Sequence, residues 1–443
     1  MIFTLPNGCK VVYQKQSSDI KISDLFVFVK IGSIYEKDDT RGSSHFIEHM
    51  CFKGTRAIPN QIKLFKRFDK HGIKYNAFTD KEYTVYTANC QDEYLHDSIQ
   101  LFSDMILNST FDHMKFKTEH NVVIEENIRN QDNMDVQLIV NTDSQVYKDT
   151  PYEFPIDDLS YHSKGGSLTH KNTLDMYQKY YVPGNIVISI VTNKSISSIK
   201  RAIQKSYFSR NELHYSSIPL CISNISEVNI SQTTKYNLIR KSNLSAIYLS
   251  LAFRTCPKGN TDEYPLYMLS QILGAAFSSR LFTLLREKHG LTYTSTCSAI
   301  YYIHAGHLEF SVTLNSEKLL TNGKSPNGVL PLLVQFLNNI VKNGVTVSEV
   351  DMFKGFIRGQ QNILLKDTSN ICDYNGKKVI LEENTDILSY DKLYETYYSR
   401  ISKRDIDDII RKYLYPNNLS VTLIGFHLPT ETVLKREIRK FGV

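Results

Sequence analysis

Two stretches of this chain share one pattern: YYVPGNIVISIVTN at 180–193 and YLYPNNLSVTLIGF at 413–426. Each has tyrosines at a helix end, a Pro turn with Gly or Asn, and then a β-branched apolar run of the length of one buried strand. A pattern recurring at so long a distance is the mark of an internal duplication. The chain has 443 residues, too many for one ordinary core. DLFVFVKIGS (24–33) and SAIYLSLAFRT (245–255) read as another matching pair of buried strands. The expected fold class is therefore α+β, with two homologous halves at residues 1–210 and 233–443. Between them, 211–232 is rich in Ser, Asn and Pro without periodicity and reads as a linker.

The remaining segments fill in the halves. MIFTLPNGCKVVYQK reads as strand, turn and strand, and 74–90 as two strands joined by a turn. Segments 93–107 and 116–133 have helical spacing, and 263–290 is helical with a break near Gly274. The longest apolar runs are strand-sized, so no membrane span is expected. The N-terminus has neither the apolar core of a signal peptide nor an Arg/Ser-rich presequence. The net charge of +6 comes from 52 basic and 46 acidic residues spread along the chain, with no basic block, which argues against nucleic acid as a partner. Seven scattered cysteines without a CxxC pair read as free thiols of a reducing compartment. Together these point to a soluble intracellular, cytoplasmic protein.

One segment, GSSHFIEHMCFKGT at 42–55, asks for chemistry. On a helix, His45 and His49 lie one turn apart on the same face and can aim both imidazoles at one ion. Glu48 sits beside that face, within reach of a water at the ion without binding it. The ordinary alternative is a solvated helix face that happens to carry two histidines. A catalytic zinc needs a third protein ligand and an open fourth position. Segment 116–133 offers Glu119, Glu125 and Glu126. Glu119 and Glu126 are seven apart and share a face, so Glu126 can serve as ligand and Glu119 can support a ligand histidine. The order HxxEH inverts the more familiar HExxH.

GSIYEKDDTRGSSHFIEHMCFKGT resembles the active-site segment of the pitrilysin-type (M16) zinc peptidases, and most resembles the branch with mitochondrial processing peptidase and its bacterial relatives. TLPNGCKVVYQK, NAFTDKEYTVY (76–86), EHNVVIEEN (119–127) and SSRLFTLLREKHGLTYT (278–294) resemble further segments of that family, so the similarity runs along nearly the whole chain. The resemblance implies two α/β-sandwich halves of the LuxS/processing-peptidase-like metallohydrolase fold and one Zn2+ per chain. It implies His45, His49 and Glu126 as metal ligands, Glu48 as general base and Glu119 as supporting carboxylate. It also implies that Arg286 and Tyr293 reach the substrate and the reacting carbonyl. Their ordinary alternatives are a surface ion pair and a core tyrosine. Asn76 and Ala77 would bind a peptide main chain to main chain, where the alternative is a plain edge strand.

Some positions depart from the pattern. Ser44 stands where the family often has a small apolar residue, and Gly165-Gly166 is too short for the glycine-rich loop of the non-catalytic processing subunit. Val136 and Val140 stand where mitochondrial enzymes carry acidic residues, so a preference for basic substrates does not transfer. In the second half LGAAFSSRLF replaces the metal motif. The implied activity is a zinc metalloendopeptidase acting on peptides or unfolded protein segments, with a homodimer or a heterodimer with a related subunit enclosing the chamber. The competing reading is a non-catalytic structural or partner subunit of the same fold. A peptide-binding module with structural zinc is a third, but such zinc is normally closed by four protein ligands and only three are found.

Overall fold

The computed structural model describes residues 1–16, 20–157, 168–210, 233–321 and 328–442. The segment 211–232 read as a linker lies outside the described residues, as do Gly165 and Gly166. The described residues form two compact units. One gathers those of Met1–Arg129, Phe154–Ile222 and Ile363–Ile387, the other those of Asn130–Glu153, Ser223–Asn362 and Leu388–Val443. The units are not two consecutive stretches: each includes residues from both sides of 211–232.

The first unit is built on β1 (Ile2–Thr4), β2 (Lys10–Lys15), β3 (Ile22–Val29), β4 (Lys74–Thr79), β5 (Thr84–Gln91) and β6 (Ile186–Thr192), in the order β1-β2-β6-β3-β5-β4. β2 and β6 are parallel and the other pairs antiparallel. Leu25, Val27 and Val29 point to one face, where they join Phe46, Ile47 and Met50 of α1 (Ser43–Cys51) and Ile99 and Phe102 of α3 (Leu95–Leu107) in one core, with α2 (Gln61–Lys70) contributing Leu64 and Phe68. The alternate residues of β3 point the other way, as the two-residue strand period requires. A helix from late in the chain, Thr368–Glu382, covers that face. Cys372 Sγ contacts the Ser189 carbonyl at 3.1 Å, and Ser369 Oγ donates to Asp24 at 2.7 Å. Gly376 packs on Phe28 so closely that a Cβ there would lie 2.0 Å from the ring.

The second unit repeats the plan. β7 (Lys235–Arg240), β8 (Ala246–Thr255), β9 (Thr292–Tyr301), β10 (Gly306–Asn315) and β11 (Leu419–Gly425) run in the order β7-β11-β8-β10-β9, with β7 and β11 parallel. Strand for strand this matches β2-β6-β3-β5-β4. The match extends to single hydrogen bonds. Asn185 Nδ2 donates to the carbonyls of Lys30 (3.1 Å) and Tyr180 (2.9 Å), and Asn418 Nδ2 to those of Arg254 (2.9 Å) and Tyr413 (2.7 Å). Here too a helix from the opposite part of the chain closes one sheet face. α4 (His113–Asp132) leads into α5 (Met134–Val146), whose Met134 and Leu138 pack on Ile424 of β11. Arg254 Nη1 donates to the Val146 carbonyl at the end of α5, 2.6 Å away.

The helical stretch expected at 263–290 does break at Gly274. An α-helix at Glu263–Ser270 widens into a π-turn at Gln271–Ala275, and helix resumes at Arg280. Gly274 is required there, because a Cβ would meet the Cys297 nitrogen at 2.1 Å. Among the described residues, Glu263–Lys288 is the one stretch long and apolar enough to cross a membrane; half of its apolar window is buried inside the protein.

Candidate metal centre

Two local features set the position of α1. Gly42 takes a left-handed conformation (φ 78°), which glycine adopts without strain, and turns the chain into the helix. Glu36 then caps the helix start with both oxygens, accepting from Gly42 N at 2.8 Å and Ser44 N at 2.7 Å. Burial pushes the Glu36 carboxyl up to about 7, although the N–H groups of Ser44 and Gly42 and the nearby Arg41 pull it down. The apolar side of α1 is locked in the core, so His45 and His49 are held on its opposite side.

These imidazoles meet α4. His45 Nε2 and His49 Nε2 are 3.3 Å apart, and Glu126 Oε2 is 3.4 Å from His49 Nε2. One donor atom from each of His45, His49 and Glu126 lies within 4.8 Å of both others, forming a convergent group of metal-ligating side chains among the described residues. On the far side of the ring, His49 Nδ1 is 2.8 Å from Glu119 Oε1. Lys53 Nζ holds the other oxygen, Oε2, of the same carboxylate. Glu125, one residue away, is exposed.

The donor set fits a divalent cation. Two ligands about 2.1 Å from one ion at a tetrahedral angle stand roughly 3.4 Å apart, which is the spacing of His49 from both His45 and Glu126. Two imidazole nitrogens facing each other need a proton or a metal between them. The charges agree. Burial lowers both histidines and dominates at His45. At His49 the carboxylates of Glu119 and Glu126 outweigh it and raise the ring to about 9. Glu126 is held below the usual carboxylate range chiefly by its bond to His49. For Glu119 the bonds to His49 and Lys53 overcome burial, with the same downward result. The cluster thus favours positive charge between its carboxylates.

Glu48 is buried beside this group, and its Oε2 accepts from the Thr79 hydroxyl at 2.7 Å. Burial pushes its carboxyl up to about 7, against the opposing pull of Thr79 and His49. Thr79 ends β4, the edge strand of the first sheet, which also carries exposed Asn76 and half-buried Ala77. Arg286 and Tyr293 belong to the second unit. Neither matches its ordinary alternative. Tyr293 is 81% exposed, and Arg286 is exposed, with its guanidinium over the Phe282 ring and no ion pair among the described residues.

The sequence reading assigned no role to Lys53, Thr79 or Glu36. Lys53 has a weak sequence signal: it lies four residues after His49, the spacing of one helical turn, although α1 itself ends at Cys51. Thr79 has none, because only the pairing of β4 and its approach to α1 bring it to Glu48.

Comparison with known proteins finds family matches along most of the chain. Residues 10–157 match the family model Insulinase (Peptidase family M16), and residues 167–355 match Peptidase M16 inactive domain. An uncharacterized zinc protease of Bacillus subtilis, YmxG, is 29% identical over 382 residues, covering 86% of this chain and 88% of its own. A protease from Helicobacter pylori superposes with a TM-score of 0.86 at 20% identity, over 96% of this chain and 99% of its own. The periplasmic protease PqqL of Escherichia coli superposes on 100% of this chain using 50% of its own length, with a TM-score of 0.79 at 17% identity.

Proposed function

The chain belongs to the M16 peptidase family, and we propose that it is a zinc metalloendopeptidase hydrolysing peptides or extended protein segments. The observation that carries this is the convergence of His45, His49 and Glu126 beside a buried, oriented Glu48. Bound zinc supplies Lewis acidity, which activates both a peptide carbonyl and water near neutral pH. His45, His49 and Glu126 hold the metal, and Glu119 fixes the ring of His49. Glu48 takes the proton from the attacking water and delivers it to the leaving nitrogen. Thr79 occupies one Glu48 oxygen and leaves the other for the water.

Substrate binds as an added strand along β4, main chain to main chain at Asn76 and Ala77. The free edge of that strand supports this. Arg286 and Tyr293 donate to substrate carbonyls and to the oxyanion, a role suited to two exposed donors. PqqL spans about two lengths of this chain, which supports a dimer with a second copy or a related subunit. The six described free cysteines are all buried, which supports an intracellular setting.

Hydrolysis of a mixed peptide library tests the reading. Cleavage by the purified chain is expected to vanish with a chelator and return with zinc. Glu48→Gln is expected to lose turnover and keep the metal, whereas His45→Ala, His49→Ala and Glu126→Ala lose it. Substantial hydrolysis by Glu48→Gln would sink the assignment. Absence of cleavage with one zinc bound would instead favour the non-catalytic reading or a missing partner chain.

A further inference from the structure

Two of the ligands stand on α1 and the third on α4, so the metal site exists only while these helices keep one relative position. Phe46 of α1 packs on Phe116 of α4, ring centroids 4.6 Å apart, and beside that apolar contact two crossed lysines tie the chain just after α1 to α4. Lys53, one turn beyond His49, reaches across to Glu119 of α4. Lys115, one turn before Glu119 on α4, reaches back and donates to the Lys53 carbonyl at 2.6 Å and to the Pro59 carbonyl at 2.6 Å. The Lys53 backbone N–H is itself tied to the Met50 carbonyl at 3.1 Å. Lys53, just past the end of α1, therefore reaches to α4, and Lys115 of α4 reaches back to the turn that follows α1, so both ties join α4 to the chain around Lys53.

The Lys53 end is well sheltered, with the side chains of Lys53 and Glu119 16% and 5% exposed. Glu119 has one oxygen on Lys53 and the other on His49 Nδ1. Its carboxylate cannot rotate without losing one of them. A fixed Glu119 at Nδ1 in turn fixes the direction in which Nε2 of His49 points, toward His45 and Glu126.

We propose that Lys53 and Lys115 are positioning residues that set the metal ligands in register before the ion binds. The inference rests on the reading of His45, His49 and Glu126 as zinc ligands. Neither lysine touches metal or substrate; they act through Glu119 and through the spacing of α1 and α4. Removing a clamp end makes the ion organise the helices itself, and affinity falls. Loss of an outer partner of a metal ligand typically lowers metal affinity about 10–100-fold.

The test is zinc affinity, measured by competition with a chromophoric chelator on the full chain, with thermal unfolding of the metal-free protein in parallel. Lys53→Met is expected to weaken zinc binding about 10-fold, the low end of that range, because it acts one step removed, through Glu119. Lys115→Met should weaken it in the same direction, and Lys53→Arg should restore most of the loss. The Co2+ form of Lys53→Met should show an altered visible spectrum. Should Lys53→Met not fold, Lys115→Met and Lys53→Gln carry the same test. Unchanged zinc affinity and an unchanged cobalt spectrum would overturn the clamp while leaving the ligand assignment standing. A loss confined to unfolding temperature would also overturn it. If the wild-type chain and His45→Ala bind zinc equally weakly, the ligand reading fails and the clamp falls with it.

Discussion

Glu48 and Glu126 are the same residue type beside the same pair of histidines, and their surroundings divide them. Glu126 bonds to His49 and is held below the usual carboxylate range, which suits its proposed role as a ligand. Glu48 is buried and its bond is to the neutral hydroxyl of Thr79. If Glu48 carries the proton as proposed, that hydroxyl aims it, so Thr79→Val should lower kcat roughly 10-fold, the worth of one hydrogen bond to a charged group. Zinc content should stay at the wild-type level, because Thr79 touches no ligand. Steady-state kinetics with metal analysis reads both. An unchanged kcat would show that burial alone orients Glu48. The pairing of the proposed ligands was legible because helix period places His45 with His49 and Glu119 with Glu126 without any tertiary information. Thr79 could not, because it reaches Glu48 only through the fold of β4 against α1.

At the scale of elements, the segment bearing Arg286 needs an anchor after the break at Gly274, and it has one. Arg280, at the restart, grips Glu349 with two bonds of 2.6 Å and donates to the Gly344 carbonyl at 3.0 Å. Burial would raise the Glu349 carboxyl, but the Arg280 fork and the Thr346 N–H and hydroxyl hold it at about 2 instead of its ordinary 4.5. A carboxyl whose pKa falls on folding stabilises the folded state above its unfolded value, and that stability is lost as pH drops through the folded value. Glu349→Gln should therefore be less stable than wild type near pH 6, and the gap should close between about pH 4.5 and 2. The chain has no Trp, so far-UV circular dichroism in a denaturant series is the measurement. A gap that persists unchanged at low pH would mean that packing, not charge, sets the effect. The break at Gly274 was legible because a glycine inside a helical pattern is a local signal. The Arg280–Glu349 anchor was not, because the partners are far apart in sequence.

At the scale of the molecule, the duplication was legible and its wiring was not. The repeated tyrosine, proline-turn and strand pattern announces two similar sheets, and matching bonds from Asn185 and Asn418 sit at matching places in them. Composition could suggest a boundary at 211–232. It could not say that α5 closes the second sheet while Thr368–Glu382 closes the first. Each buries a mixed set of residues, Met134, Leu138 and Asp143 on one and Cys372, Asn375 and Val379 on the other, and nothing in such a set names the sheet it will cover. The exchange has a consequence for cutting the chain. Residues 1–210 alone would lack the cover for Phe26, Phe28, Val187 and Val191. A buried side chain of this kind contributes roughly 1.5–3 kcal/mol, against a whole-domain stability of only about 5–15 kcal/mol. The fragment 1–210 should therefore aggregate or bind zinc poorly, although it holds every proposed ligand. Co-expression with 233–443 should restore a soluble complex, since the missing helix then returns. Size-exclusion chromatography with zinc analysis of the fragment, the pair and the intact chain decides it. A fragment 1–210 that is monomeric, unfolds cooperatively and binds zinc like the intact chain would show that the borrowed helix is dispensable, and that a proteolytic half can be complete on its own.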